Sequence, residues 1–229
     1  MNYQRVLVFG AHHDDEITIA GTIAKLSAAG VEVVVAIYTN GCEGYPRPEM
    51  KDTIVEMRRR EAEECNKVLG ISRRVCFDRP DMGLVNDKQT LQDTIRLIRE
   101  VRPDAVFTHG PEDPHRDHVN TSLISTEACW HAGEPVAAVL GPSWKTPHLY
   151  YYKGVVTKRL PQVVVDVTET AYKRPLALAT QVSQHTLFGR TAEEFHREAE
   201  RIRTSGEKHT ERLWIAETVV LNDFLPMGL

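Results

Sequence analysis

The first forty residues admit few folds. "VLVFG" (6–10) is a short apolar run, "ITIAGTIAKLSAAG" (17–30) carries its apolar residues at helical spacing up to Gly30, and "VEVVVAIYT" (31–39) is β-branched and nearly all apolar. A strand apolar at nearly every position is buried on both faces, and strands joined through a helix pair in parallel. This order specifies an α/β protein with a mostly parallel sheet covered by helices.

The same punctuation continues along the chain. Residues 40–52 are rich in Gly and Pro and read as a loop. A helix follows over 53–69, stopped by Gly70, then a short strand at 73–77, a loop at 78–87 and an amphipathic helix at 90–101 ended by Pro103. "DAVFTH" (104–109) is the next strand, "GPEDPHRDH" (110–118) a loop, and a helix runs from about 119 to 131. Beyond an irregular stretch (133–148), strands are expected at 149–155 and 162–167, helices at about 168–183 and 191–204, and a last strand at 217–221. No repeat, low-complexity tract or linker interrupts the 229 residues, so a single domain over 1–229 is expected.

The bulk numbers narrow the function classes. Hydrophobic residues at 41% are enough for a real core. A net charge of −4 argues against a nucleic-acid partner, because phosphate neutralisation needs clustered Lys and Arg. The densest basic run, Arg58-Arg59-Arg60, is flanked by Glu56, Glu61, Glu63 and Glu64 and reads mostly as a solvated helix face. Four cysteines (42, 65, 76, 129) without a C-x-x-C spacing read as free thiols. The N-terminus lacks a secretory pattern and no run of about 18 apolar residues occurs. The expectation is a cytoplasmic protein with no membrane span.

Two polar constellations follow strands. "HHDDE" (12–16) comes after the first, and "HGPEDPHRDH" (109–118) after "DAVFT". In an open parallel sheet, loops at the carboxyl ends of strands form the ligand crevice, so both can face one site. His12 and Asp15 are three apart, as are His115 and His118, and i,i+3 residues share a side of a helical turn. Acids also favour a first helical turn through capping and the helix dipole, and surface histidines are common, so each stretch alone has an ordinary structural reading. Together, imidazoles and carboxylates at one crevice suit a divalent metal with mixed nitrogen and oxygen ligands. The G-x-S-x-G, G-x-G-x-x-G and H-E-x-x-H patterns are absent, leaving a serine nucleophile elbow or a dinucleotide fingerprint unsupported.

"GAHHDDE" resembles the A-H-P-D-D-E signature of the LmbE-like (PIG-L) deacetylases, and "PHRDH" that family's H-P-D-H signature. "MRRREAEECNKVLGI", "RPDMGL" and "ALATQVSQH" are similar to further family segments, so the resemblance covers most of the chain. It implies a Rossmann-like three-layer sandwich and a zinc ion held by His12, Asp15 and His118, with ferrous iron suiting the same His₂-carboxylate set. It further implies Asp14 as general base, a protonated His115 stabilising the oxyanion, and Asp117 orienting His115. The expected reaction is removal of an N-acetyl group from an N-acetylglucosamine-type or related acylamino substrate. The alternatives are hydration of an unsaturated acid on the same fold and a non-enzymatic metal- or sugar-binding module. Arg58 and Asp81 are the substrate-binding expectations. Glu16 is assigned a supporting or capping role, and the family's frequent multimers leave a homo-oligomer open. His13 stands where the family has proline, and is expected to point at solvent.

Overall fold

The computed structural model of the protein describes residues 3–153 and 162–216. Its strands are β1 (Arg5–Gly10), β2 (Glu32–Thr39), β3 (Arg73–Arg79), β4 (Ala105–His109), β5 (His148–Lys153), β6 (Val163–Asp166) and β7 (Thr210–Ile215). The helices are α1 (Ala20–Ala28), α2 (Ile54–Leu69), α3 (Lys88–Val101), α4 (Arg116–Gly133), α5 (Lys173–Thr180), α6 (His185–Phe188) and α7 (Ala192–Ser205). The strands form a seven-stranded sheet in the order β3-β2-β1-β4-β5-β7-β6. β1 to β5 pair in parallel, and β7 runs antiparallel between β5 and β6.

Strand alternation sends the side chains of β1 into two cores. Val6 and Val8 pack with Ile23 of α1, Cys65 and Leu69 of α2 and Ala177 of α5. Leu7 and Phe9 pack on the opposite face with Ile95 and Ile98 of α3 and Ile124 and Ala128 of α4. Helices therefore cover both faces, making the three layers that the doubly apolar strands require.

Element ends differ from the sequence pattern where polar contacts decide them. The stretch after β1 begins as a 3₁₀ turn (Asp15–Ile19) before α1. α3 starts at Lys88 because Asp87 caps it, accepting from the Thr90 amide at 2.7 Å. α4 starts at Arg116, inside the expected loop. The late helix expected over 168–183 is confined to α5 and the short α6 beyond it, and β7 occupies residues not read as a strand. The strand expected at 217–221 lies outside the described residues. None of the described helices is long and apolar enough to cross a membrane.

The order of the sheet positions the site. From β1 the chain winds outward through β2 and β3, then returns to β4 on the other side of β1 and continues to β5. The reversal between β1 and β4 opens a crevice at their carboxyl ends. Both polar constellations emerge there.

Candidate active site

The turn after β1 is built tightly around one carboxylate. A Cβ on Gly10 would lie 2.9 Å from Ile37 Cδ1 and 3.1 Å from Asp15 Cβ, so any larger residue would push on the side chain of Ile37 and on Asp15 itself. Asp15 Oδ2 accepts the amides of Ala11 (2.9 Å) and His12 (2.8 Å). Thr39 Oγ1 donates to the Ala11 carbonyl (2.8 Å) and the Tyr152 hydroxyl to that of Phe9 (2.9 Å), fastening the turn to β2 and β5.

The second constellation is fixed by a helix start. His115 caps α4 with its ring, Nδ1 accepting from the Asp117 amide at 3.2 Å. Asp117 and His118 thereby enter the first turn of α4, which is why the helix begins earlier than its apolar pattern. The His115 and His118 rings stack with centroids 4.6 Å apart.

The two turns meet. His12 Nδ1 lies 3.3 Å from His118 Nε2 and 3.5 Å from Asp15 Oδ2, and His118 Nε2 lies 3.3 Å from Asp15 Oδ1. His12, Asp15 and His118 are all buried, and each offers a ligand atom within 4.8 Å of the others'. Two imidazole nitrogens and a carboxylate oxygen facing one another fit a divalent cation of the zinc or ferrous type.

The remaining expected residues surround this trio. Asp14 Oδ1 accepts from the Arg58 guanidinium at 2.8 Å. Arg58 is buried, while Arg59 and Arg60 are exposed, so the basic run is a solvated face for two residues only. The helical turn rotates Arg58 inward, and the loop glycines Gly41 and Gly44 pack against it. Asp81 sits behind His12. Its Oδ1 accepts from His12 Nε2 (3.0 Å) and the Met82 amide (2.8 Å), and its Oδ2 from the Glu43 amide (3.3 Å). Asp117 reaches His115 through its amide. Its carboxylate instead accepts from Met82 (2.7 Å) and Leu84 (3.2 Å) and lies 3.6 Å from His12 Nε2.

Charge follows from these contacts. Burial pulls His12 down, but the carboxylates of Asp117, Asp15 and Asp81 carry it up to about 12. Burial alone would raise Asp15; the His109, His118 and His12 imidazoles hold it well below the usual carboxylate range. Burial and the neighbouring His12 and His118 push His115 down. That favours a neutral ring over the protonated one the resemblance implies. With Nδ1 accepting, its proton resides on Nε2.

Several residues escape sequence reasoning. His109, at the end of β4, is fully buried with Nε2 3.0 Å from Asp15 Oδ2, outside hydrogen-bond alignment, and stacks on His118 at 4.2 Å. Its place at the carboxyl end of a buried strand was the available signal. Asp113 lies 3.0 Å from His118 Nδ1, and Lys153 at the end of β5 lies 3.8 Å from Asp15 Oδ1. Glu61 of α2 accepts from the Ser183 amide (2.6 Å) and hydroxyl (2.7 Å), holding the segment before α6 at the cleft. His13 does not point at solvent. It is 1% exposed, and burial with Arg74, Arg58 and Arg59 nearby pulls it down to about 3. At this point of the tight turn the chain sends His13 into the core beside Cys76 while His12 faces the cleft. Glu16 is also fully buried, paired with Arg74.

The trio opens into a cleft of about 680 Å³, with Tyr45, Pro46, Met82 and Leu187 towards its rim. Fold and site together define a doubly wound α/β protein whose strand-end cleft gathers two histidines and a carboxylate, with the Arg58-paired Asp14 lining the same cleft. The chain belongs to the PIG-L family, described as GlcNAc-PI de-N-acetylase, whose sequence model matches residues 7–129. It is similar to the diacetylchitobiose deacetylase of Thermococcus kodakarensis, 28% identical over 193 residues, covering 79% of this chain and 70% of the relative. A 1D-myo-inositol 2-acetamido-2-deoxy-alpha-D-glucopyranoside deacetylase of Streptomyces avermitilis is 25% identical, covering 71% of this chain and 64% of that protein. Among solved structures, the N,N'-diacetylchitobiose deacetylase of Pyrococcus horikoshii superposes with a TM-score of 0.79 at 24% identity, over 93% of this chain and 84% of its own. The 4-carboxy-2-hydroxymuconate hydratase of Pseudomonas putida gives 0.75 at 24% identity, over 93% and 96%. At that identity the structural likenesses establish the fold alone.

Proposed function

We propose that the protein is a metal-dependent deacetylase that hydrolyses the acetamide of an N-acetylglucosamine-type glycoside. The observation that carries the reading is the convergence of His12, Asp15 and His118 in the cleft that Asp14 also lines, its carboxylate held by Arg58. The names of the relatives, deacetylases of diacetylchitobiose and of an acetamido-deoxy-glucopyranoside, supply the substrate class.

A divalent ion held by His12, Asp15 and His118 supplies Lewis acidity to a water and to the acetyl carbonyl. The chain's own groups do the rest. Asp14, anchored by Arg58, keeps one carboxylate oxygen for the cleft and takes the proton of the attacking water as the new C–O bond forms. The carbonyl oxygen gathers negative charge, and His115 donates to it from Nε2 while the Asp117 amide holds Nδ1. The C–N bond then breaks and the leaving nitrogen takes its proton from Asp14, giving acetate and a free amine. One carboxylate thus serves as base and then as acid. Behind the trio, Asp81 accepts from His12 Nε2, which fixes the ring with Nδ1 towards Asp15 and His118.

The test is incubation with diacetylchitobiose and other acetamido glycosides, with Zn²⁺ or Fe²⁺ added, assayed for acetate and primary amine in equal amounts. Hydration of an unsaturated acid with no acetate from any acetamido sugar would replace this reading with the hydratase one.

A further inference from the structure

The turn after β1 sends one imidazole away from the cleft, and nothing at the trio uses it. His13 is 1% exposed. Among the described residues its Nδ1 has no hydrogen-bond partner, and its Nε2 meets only the sulfur of Cys76, at 4.0 Å. A ring that leaves water without gaining an oxygen or nitrogen partner costs free energy, and ligation of an ion is one way to recover it. Thiolate sulfur selects soft cations such as Cu⁺, and imidazole suits copper as well.

The spacing fits a cation between the two atoms. Bonds from zinc to imidazole nitrogen and to thiolate sulfur are about 2.0–2.1 and 2.3 Å, so a linear nitrogen–metal–sulfur unit of that size spans about 4.3 Å. The ligand atoms stand 4.0 Å apart, and Cys76, partly exposed on the edge strand β3, is the side free to adjust. The sulfur otherwise meets the Thr39 carbonyl and Asp78 Oδ1, both at 3.5 Å, and that carboxylate is taken by Arg59. Two ligands on one line are the coordination of monovalent d¹⁰ ions, whereas zinc asks for four.

Charge selects the same class. Arg58, Arg59 and Arg74 all act on His13, and each has its own carboxylate: Asp14 at 2.8 Å, Asp78 at 2.6 Å and Glu16. The surroundings are balanced before any ion enters. A monovalent cation that displaces the thiol proton leaves them balanced. A divalent one would bury an uncompensated positive charge.

We infer that His13 Nε2 and Cys76 Sγ form a site for one thiophilic monovalent cation, Cu⁺ or Ag⁺, separate from the trio. Binding replaces the S–H bond with an S–metal bond. The imidazole donates its Nε2 lone pair and keeps its own proton on Nδ1, and the thiol proton leaves to solvent. No electron is transferred. The site does not depend on the reaction at the trio, and a proline at position 13 would abolish it.

The experiment titrates the metal-loaded protein with Cu⁺ under anaerobic, reducing conditions, in competition with the chromophoric chelator bicinchoninate. The wild type is expected to take one Cu⁺ per chain and to keep its other metal. Cys76→Ser and His13→Phe, each checked for cooperative unfolding, should bind about tenfold or more weakly, since even an outer partner of a metal ligand is worth that much. Cys42→Ser and Cys129→Ser should bind as the wild type does. X-ray absorption at the copper edge of the wild type should show one sulfur and one imidazole nitrogen, which decides the question even where a variant fails to fold. An affinity unchanged in His13→Phe, a shell of sulfur alone, or release of the other metal in step with Cu⁺ uptake overturns the inference.

Discussion

Arg99 makes the sharpest stability prediction. It lies in α3, 2% exposed, and its guanidinium donates to six carbonyls around the end of α4. Nε reaches Ala132 at 3.2 Å. Nη1 reaches Ala137 (3.1 Å) and Gly141 (3.0 Å), and Nη2 reaches His131 (3.1 Å), Glu134 (2.8 Å) and Val136 (3.0 Å). These are the orphan carbonyls of a helix C-terminus and the irregular loop after it, held by a cation at the negative end of the dipole. Arg99→Met keeps most of the stem and removes every donor. A hydrogen bond to a charged donor contributes about 1.5–3 kcal/mol, but six do not add. The loop relaxes and water reaches its outer carbonyls, while the carbonyls nearest the buried guanidinium stay dry. We expect a loss of about 3–5 kcal/mol, a large share of the ~5–15 kcal/mol that holds a typical domain. Arg99→Lys should lose less, since three donors on one ammonium cover about half the cage. Urea unfolding followed by far-UV circular dichroism reads the change as a lower midpoint at unchanged slope. α4 is 18 residues long, about 27 Å, so the cage is remote from the His118 end, and turnover per folded molecule should hold. A loss below about 1 kcal/mol in Arg99→Met would refute the argument, because it would mean that water replaces the guanidinium at no cost.

Other predictions concern the site. Asp14→Asn should retain metal by elemental analysis and lower kcat by about 10²–10⁴-fold; near-normal turnover would remove Asp14 from the base role. Gly44→Ala places a Cβ 2.8 Å from Arg58 Nη1, a flexible side-chain end, so the arginine should yield and release Asp14. The expected outcome is a loss of kcat with a melting temperature nearly unchanged, and the reverse pattern would show a backbone clash instead. His118→Ala should fail to hold stoichiometric metal, and full occupancy would break the ligand assignment. Chelation of the wild type should lower its melting temperature, and re-addition of Zn²⁺ or Fe²⁺ at 100-fold above Kd should restore about 2.7 kcal/mol.

What the sequence made legible divides along physical lines. β1, β2 and β4 are apolar on both faces, and that pattern alone demanded a parallel sheet with helices on each side. Strand-end loops carrying His and Asp pairs then had to share a crevice, and His12, Asp15 and His118 do come together there. Legibility fails where a residue's surroundings are assembled from distant segments. Arg58 reads both as part of a basic helix face and as a candidate substrate contact, and Glu61 as a member of that face. One is turned onto Asp14 by the packing of α2, and the other is enclosed by the Ser183 segment, so neither is solvated. A charge buried against a partner far along the chain leaves no periodic trace.

The same limit explains His13 and Glu16, and it makes the "HHDDE" run more than a ligand motif. Residues three apart leave the turn together: His12 and Asp15 towards the cleft, where Asp14 joins them, and His13 and Glu16 into the sheet–helix interface beside Cys76, Cys65 and Arg74. The buried half is held by an Arg74–Glu16 pair of opposite charge, whose removal on one side would strand the other. The turn that presents Asp14 and Asp15 is thus fixed from behind as well as from the cleft. Glu16→Ala should accordingly destabilise the fold by about 3–5 kcal/mol in urea unfolding. The control is Glu16→Gln, which keeps a hydrogen-bond acceptor for the guanidinium and should lose less. A loss confined to Glu16→Ala, with Glu16→Gln close to wild type, would mean that packing volume and a neutral hydrogen bond, not charge pairing, secure the turn.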